Sequence, residues 1–82
     1  MKLVIMTPDD MRTEDTVASI HAVTSIGEYI ILPEHAPLLL VLMPASTLTY
    51  VVGDGAGSPR TCAIGDAGLL KIDRQVTYLI YV

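Results

Sequence analysis

The residues able to do chemistry are few, and their spacing does not suit catalysis or metal binding. His21 and His35 are the only histidines, and neither stands in a spacing such as HExxH that presents two ligands to one metal ion. Asp9 and Asp10 are adjacent and follow Pro8, so a tight turn explains them better than a pair of catalytic carboxylates does. The sequence therefore predicts no metal site.

A nucleophile and a phosphate-binding loop have equally little support. Cys62 lies in the stretch Thr61–Ile64, where a buried thiol in a strand is the ordinary outcome. The stretch Gly53–Gly57 is rich in glycine, but no Gly-Lys-Ser or Gly-Lys-Thr follows it, and a hairpin loop accounts for it. We expect no catalytic residue and no bound cofactor, and a small hydrolase ranks last among the functional hypotheses.

Composition limits the chain to one domain, residues 1–82, with a small core. A chain of 82 residues buries only roughly 60 to 65% of its unfolded surface on folding. Hydrophobic residues make up 51% and mean hydropathy is +0.53, which is more apolar surface than so small a core hides easily. That excess makes a partner surface plausible, and the net charge of -4, without a basic cluster, argues against nucleic acid as the partner.

Nothing in the sequence directs export or membrane insertion. Cys62 is the only cysteine and no asparagine is present to form a glycosylation site, so a reducing, cytoplasmic-type compartment suits the chain. The segment before Asp9 has no signal-peptide hydrophobic region. Ala36–Gly53 is 18 residues without a charge, but Pro44 in its middle would break a membrane-spanning helix. We predict two strands joined by a turn there.

Turn residues recur at short intervals and leave no room for long helices. Between them the chain is rich in β-branched, aromatic and alternating residues, which predicts an all-β fold, an antiparallel β-sandwich of about ten short strands. The predicted strands are Lys2–Met6, Thr16–Val23, Glu28–Leu32, Leu38–Met43, Thr47–Val52, Arg60–Ile64, Gly68–Ile72 and Gln75–Val82.

Two of these strands indicate where the core and a contact surface lie. In Thr16–Val23, the residues Ala18, Ile20 and Ala22 form the cleaner core face. Leu38–Met43 is apolar on both faces, so one of its faces needs a cover. Another part of the same chain and a partner protein are about equally good candidates for that cover.

A family resemblance begins at residue 27. The segment Gly27–Leu39 resembles the GE-aromatic-G-I-L-P-G-H-A-P-L-L signature of epsilon subunits from rotary F-type ATP synthases, and the likeness extends over essentially the whole chain. The chain resembles the N-terminal β-sandwich domain only, as a divergent member without the C-terminal helical hairpin common in that family. Ile30, Glu34, Ala45 and Ala67 stand where glycine is usual. If those glycines provide positive φ, we expect the loops here to differ locally.

The resemblance implies a non-catalytic subunit of the central rotor stalk. Such a subunit binds the gamma subunit and the membrane-embedded c ring, and couples proton or sodium ion translocation to ATP synthesis or hydrolysis. It lies at the cytoplasmic face of the membrane as a peripheral part of a bacterial-type complex, without inserting into the membrane. The sequence does not indicate whether the translocated ion is the proton or sodium.

The resemblance also implies contact residues. By position in the signature, Glu28 faces the polar loops of the c ring, whereas His35, Leu38, Leu40 and Leu42 lie near gamma. His35 is almost as well explained as a turn residue that satisfies backbone groups, and Glu28 as a solvated loop acid. The alternative function is a stand-alone sandwich that holds a hydrophobic ligand or peptide at Leu38–Met43, and it predicts a closed pocket instead of a flat patch.

Overall fold

Nine β-strands and no helix form the fold in the computed structural model, which describes residues 1–82. The all-β prediction is confirmed, and three predicted strands have the observed bounds. The strands are β1 (Lys2–Met6), β2 (Met11–Glu14), β3 (Val17–Thr24), β4 (Gly27–Ile31), β5 (Leu38–Val41), β6 (Thr47–Val52), β7 (Arg60–Ala63), β8 (Gly68–Ile72) and β9 (Val76–Tyr81).

The strands build two sheets that face each other. One sheet has five strands in the order β2-β1-β9-β8-β5, and the other has four in the order β4-β3-β6-β7. All neighbouring strands are antiparallel except β1 and β9, which pair in parallel from Lys2↔Val76 to Met6↔Ile80. A parallel pair needs a long connection, and here nearly the whole chain lies between its two strands.

Strand β2 is absent from the sequence prediction. It pairs with β1 across a turn in which the Asp10 side chain accepts a hydrogen bond from the Met11 N–H at 2.9 Å. Only one of its four residues is apolar, and it forms an edge of its sheet with three residues exposed. A short polar edge strand leaves no hydrophobic alternation in the sequence, so no strand is predicted between Met6 and Thr16.

The core lies between the sheets and contains fifteen buried apolar residues. Strand β8 shows the alternation plainly, because Leu70 and Ile72 are buried whereas Leu69 and Lys71 point outward and are exposed. The largest fully buried side chains are Tyr50, Leu3, Ile20, Ile31, Leu42, Leu48, Leu70, Ile72, Leu79, Val17 and Thr77.

An irregularity in β3 changes which of its residues face the core. The pairing of β3 with β6 shifts between Val17 and Ser19, so Val17 and Ile20 are both buried although they are three positions apart. The predicted core face is confirmed at Ile20 and Ala22, but it is wrong at Ala18, which is half-buried. A β-bulge inserts one residue and thereby reverses the alternation.

Candidate functional site

No group of side chains in the fold resembles a chemical centre. No three His, Cys, Asp or Glu residues come together in a way that could hold a metal ion. Cys62 is buried, and its sulfur accepts a long hydrogen bond of 3.8 Å from the Arg12 guanidinium.

One open side of the sandwich is closed by charged groups. The edge strands β2 and β7 approach each other there, and Arg60 forms an ion pair of 2.5 Å with Glu14. Burial raises the pKa of the nearby Tyr50 phenol above its usual value, although the Arg12 guanidinium acts in the opposite direction. The charge of Tyr50 in turn raises the pKa of Arg12. We interpret this side, the charged seam, as structural.

The opposite open side has the edge strands β4 and β5, and its β5 edge is apolar. Leu39 and Val41 of β5 point outward with 60% and 68% of their surface exposed. Leu40 and Leu42 are only 6% and 2% exposed, so the structure corrects the prediction that these two contact a partner. Leu38 is half-buried against the core.

The sequence alone does not show which alternate residues of β5 face the core and which face solvent. A run of six apolar residues shows no alternation, so either set of alternate residues could have been the core face. The pairing partners decide it, because Leu40 is paired with the buried Leu70, and Leu39 with the exposed Lys71. Leu39 and Val41 are the surface residues that the sequence reasoning missed.

Val41 is the end of an apolar row that crosses the whole outer face of the five-stranded sheet. Each member is the register partner of the next, from one edge strand to the other. The members of this outer apolar row are Val41, Leu69, Ile80, Met6 and Met11. Monomeric soluble proteins rarely expose a continuous apolar strip of this kind unless it binds something.

A groove of about 390 Å³ accompanies the row near the ends of β1, β8 and β9. Its walls include Pro8, Ile80 and Val82, and it is open to solvent. The space between the sheets is filled by the core. The hydrophobic-ligand alternative predicted a closed pocket, and this open groove does not favour it.

His35 lies in the loop between β4 and β5, where it holds a turn. Its ring Nδ1–H donates to the Ala36 carbonyl at 2.7 Å, and its backbone N–H donates to the Leu32 carbonyl at 3.2 Å. Its neighbour Glu34 has a φ of 66°. These bonds support the turn role considered for His35.

Glu34 and Ala45 both adopt the positive φ that glycine favours. Their φ values are 66° and 62°, so the expectation that these loops depart from a glycine-type backbone is wrong. The hydrogen bonds that close these turns do not involve the side chains of Glu34 or Ala45. The Ala45 N–H donates to the Gly65 carbonyl at 2.9 Å, and the Ser46 hydroxyl donates to the Met43 carbonyl at 2.6 Å.

Glu28 lies at the other end of the sandwich from His35. This end, the acidic end, comprises the loops 7–10, 25–26, 42–46 and 64–67 and the adjoining strand residues. Three further exposed carboxylates share it, Asp9, Asp10 and Asp66, whereas none of its loops contains a Lys or Arg. Glu28 itself is exposed, with its carboxylate 3.5 Å from the His21 Nε2. The predicted site residues are thus divided between the two ends and one edge.

The chain contains no helix that is long and apolar enough to cross a membrane. Sequence comparisons identify one family. The family model described as the β-sandwich domain of the ATP synthase delta/epsilon chain matches residues 1–80. The ATP synthase epsilon chain of Sulfurovum sp. (strain NBC37-1) is 35% identical over 80 residues, which cover 98% of this chain and 59% of the relative.

Two solved structures have the same fold. A chain in the central stalk and c-ring structure of Tetrahymena thermophila mitochondrial ATP synthase superposes with a TM-score of 0.82 at 16% identity, covering 100% of this chain and 63% of that one. A chain in the Euglena gracilis mitochondrial ATP synthase structure, with OSCP, F1 and c-ring, gives 0.80 at 21% identity, covering 98% and 49%. This chain therefore spans from about half to just under two thirds of the length of these proteins.

Proposed function

This chain belongs to the family of ATP synthase delta/epsilon chains, in their β-sandwich domain, and we propose on that premise that it is a rotor subunit which couples ion flow through a c ring to ATP synthesis or hydrolysis. The family is that of a non-catalytic stalk subunit. Its part in coupling is mechanical, since it holds two partners in a fixed relation. The partners proposed are a gamma subunit and the c ring, at the cytoplasmic face of the membrane.

The observation that carries the gamma contact is the outer apolar row with its exposed end on β5. Leu39 and Val41 place two large apolar side chains on an edge strand that has no charged residue. Burial of apolar surface contributes roughly 25 cal/mol per Å², so such a strip supports a contact that withstands rotation. The contact proposed here uses Leu39 and Val41, with Leu38 and His35 at its border.

The acidic end supports the contact with the c ring. Glu28 lies there beside the hairpin 25–26 and faces solvent, with no Lys or Arg in the surrounding loops to neutralise it. A surface of one sign of charge attracts a partner of the other sign and orients it during association. The proposed ring surface is accordingly made of polar loops with basic side chains.

The gamma contact is tested by binding of purified gamma subunit to the 82-residue chain and its variants. We expect Leu39→Asp combined with Val41→Asp to weaken gamma binding by more than about tenfold, because two charges would be buried without partners. The thermal midpoint of this variant should stay close to that of the original chain, since both positions are exposed.

Two further variants control this experiment. Thr13→Asp introduces a charge on the exposed far edge of the same sheet and should leave binding unchanged. Leu40→Asp places a charge in the core and should unfold the chain. If the Leu39 and Val41 double variant bound gamma as strongly as the original chain does, the proposed gamma contact at this edge would be wrong.

A further inference from the structure

The outer faces of the two sheets differ in their chemistry. On the four-stranded sheet, the register places Thr49 between His21 and Thr61, and these polar side chains suit a face in contact with water. That face has one exposed large hydrophobic residue, Ile30, whereas the outer face of the five-stranded sheet has five. These five are Met11, Leu39, Val41, Leu69 and Ile80.

A second row of side chains runs beside the outer apolar row on the same face. Its members are also register partners across all five strands. The members of this second row are Leu39, Lys71, Tyr78, Val4 and Thr13. Lys71 is the only charged residue in the two rows, so ten neighbouring positions form an almost uncharged surface. A continuous surface of this composition is typical of one that another protein covers.

The groove of about 390 Å³ lies on the other side of the outer apolar row from the second row. It begins at Met6, Leu69 and Ile80 and extends past them to Pro8 and Val82. None of the residues that line it is charged. A recess of this chemistry accepts an apolar or aromatic side chain.

We propose that a second copy of this chain packs its five-stranded sheet face to face against this one, about a two-fold axis that runs along the outer apolar row. Each residue of the row then lies opposite its own counterpart, with Ile80 on the central strand β9. The axis also places the second row of each copy over the groove of the other. The facing strands run antiparallel, at the angle of about 30° that two twisted sheets adopt when they pack.

Tyr78 supplies the side chain that fits the groove. It comes two residues before Ile80 on β9, and Val82 comes two residues after Ile80, so the axis places Tyr78 opposite Val82 of the second copy. Each groove thereby receives an aromatic ring from the other copy. An aromatic side chain that fills an apolar recess is the usual anchor of a protein interface.

Charge favours this axis over an axis that runs along β9. The proposed axis places Lys71 opposite the loop 64–67 of the second copy, which carries Asp66. Lys71 then lies between that carboxylate and Asp73 of its own chain, which is 4.0 Å away. An axis along β9 would bring the two acidic ends together, and like charges would then face each other.

The available area agrees with a reversible dimer. Five strands about 4.8 Å apart and three rows of outward side chains about 6.8 Å apart cover about 480 Å² in projection. A stable interface buries roughly 800 Å² per partner, so we expect monomer and dimer to exchange between about 1 µM and 1 mM chain. The dimer covers Leu39 and Val41, and it therefore excludes the proposed gamma contact while it lasts.

Sedimentation velocity of the isolated chain tests this proposal. We expect the mean mass to rise from 8.8 kDa toward twice that value between about 5 µM and about 500 µM chain. Ile80→Asp should weaken dimerisation by at least about 100-fold, because the axis brings two carboxylates together in an apolar surface. Ile30→Asp, on the outer face of the four-stranded sheet, is the matched control and should leave dimerisation unchanged. Both positions are exposed, so both variants should fold.

Cross-linking with a short bismaleimide tests the direction of the axis. Val41 lies opposite its own counterpart under the proposed axis, but opposite Met11 of the second copy if the axis runs along β9. Val41→Cys should therefore form cross-linked dimers by itself. The original chain has only the buried Cys62 and should form none. Cross-links found only between Val41→Cys and Met11→Cys chains would contradict the proposed axis.

The proposal is wrong if the chain keeps a mass of 8.8 kDa at the highest concentration. It is also wrong if Ile80→Asp dimerises as strongly as the original chain does. A monomeric chain whose binding of added gamma subunit is weakened by Ile80→Asp would assign this face to gamma instead. The sedimentation experiment contains no gamma, so its failure leaves the proposed gamma contact standing.

Discussion

At the scale of single residues, Glu34 and Ala45 are the clearest case in which side chain and backbone disagree. Both have a φ near 65° without being glycine. A left-handed conformation costs an L-residue roughly 1–2 kcal/mol because the Cβ crowds the following carbonyl. The surrounding turn bonds hold these conformations in place, so the loops keep this strain and the backbone does not move to a different conformation to relieve it.

We predict that Glu34→Gly and Ala45→Gly each stabilise the fold. Removing the Cβ relieves the left-handed strain, and the greater freedom of glycine in the unfolded chain offsets part of that gain, which leaves a net increase of about 1 kcal/mol in the free energy of unfolding. Chemical denaturation monitored by circular dichroism measures it. Ala63→Gly in strand β7 is the control and should destabilise by about 0.5–1 kcal/mol. A loss of stability in both loop variants would show that the turns gain nothing from glycine.

Residue types alone did not identify the exposed side chains. Whether Leu39 or Leu40 faces solvent depends on which residues of β8 lie beside them, and that pairing joins positions far apart in the sequence. Both are leucines in an apolar run, so the neighbouring sequence does not distinguish the exposed one from the buried one.

At the scale of elements, strand positions were predictable wherever turn residues bound a β-rich stretch. Strands β1, β6 and β8 were predicted with their observed bounds, since proline, glycine or aspartate lies close to at least one end of each. The bulge in β3 was not predictable, because it depends on how β6 pairs with both parts of β3. Polar β2 gave no signal because its stability comes from pairing with β1 and from the charged seam.

The charged seam predicts how stability depends on alkaline pH. Burial raises the pKa of Tyr50 above its unfolded value of 10, so the unfolded chain loses this proton first as the pH rises. The contribution to stability is complete below about pH 10 and is lost as the pH rises from there through the folded pKa. We therefore expect Tyr50→Phe to flatten the fall in unfolding free energy between about pH 9 and pH 11.

Urea denaturation across this pH range measures the effect. Tyr81, whose pKa burial also raises, should leave a residual slope in the Tyr50→Phe variant. Tyr78→Phe on the outer face of the same sheet as Tyr81 is the matched control for loss of a phenol. An unchanged slope in Tyr50→Phe would show that the buried phenol does not govern alkaline unfolding.

At the scale of the whole molecule, the sandwich class could be predicted from the sequence, whereas the pairing of the first strand with the last could not. Many short strands with frequent turns indicate two packed sheets. The parallel pair of β1 and β9 joins the two ends of the chain, and no local pattern distinguishes a parallel partner from an antiparallel one. Edges, ends and faces exist only once this topology is fixed, which explains why the contact surfaces could be predicted only in part.

The last prediction concerns the division of charge between the two ends. Four exposed carboxylates lie at the acidic end, where the loops contain no Lys or Arg and Arg12 of β2 is the one basic residue nearby, whereas the other end has four basic residues beside its five carboxylates. If the c ring binds the acidic end through basic loops, its binding should weaken as salt is raised, because surface charges are screened beyond about 8 Å at physiological ionic strength. Glu28→Gln should lower the affinity for purified c ring and reduce its dependence on salt, mainly through the association rate.

Asp54→Asn in the loop at the opposite end removes the same charge from the chain and should leave both quantities unchanged. Surface plasmon resonance on immobilised c ring at several salt concentrations separates the two variants. Equal effects of Glu28→Gln and Asp54→Asn would mean that only net charge matters, and the acidic end would then lose its assignment to the ring. A selective effect of Glu28→Gln, with gamma binding intact, would assign the two partners to different parts of one rigid sandwich, which is the arrangement that mechanical coupling requires.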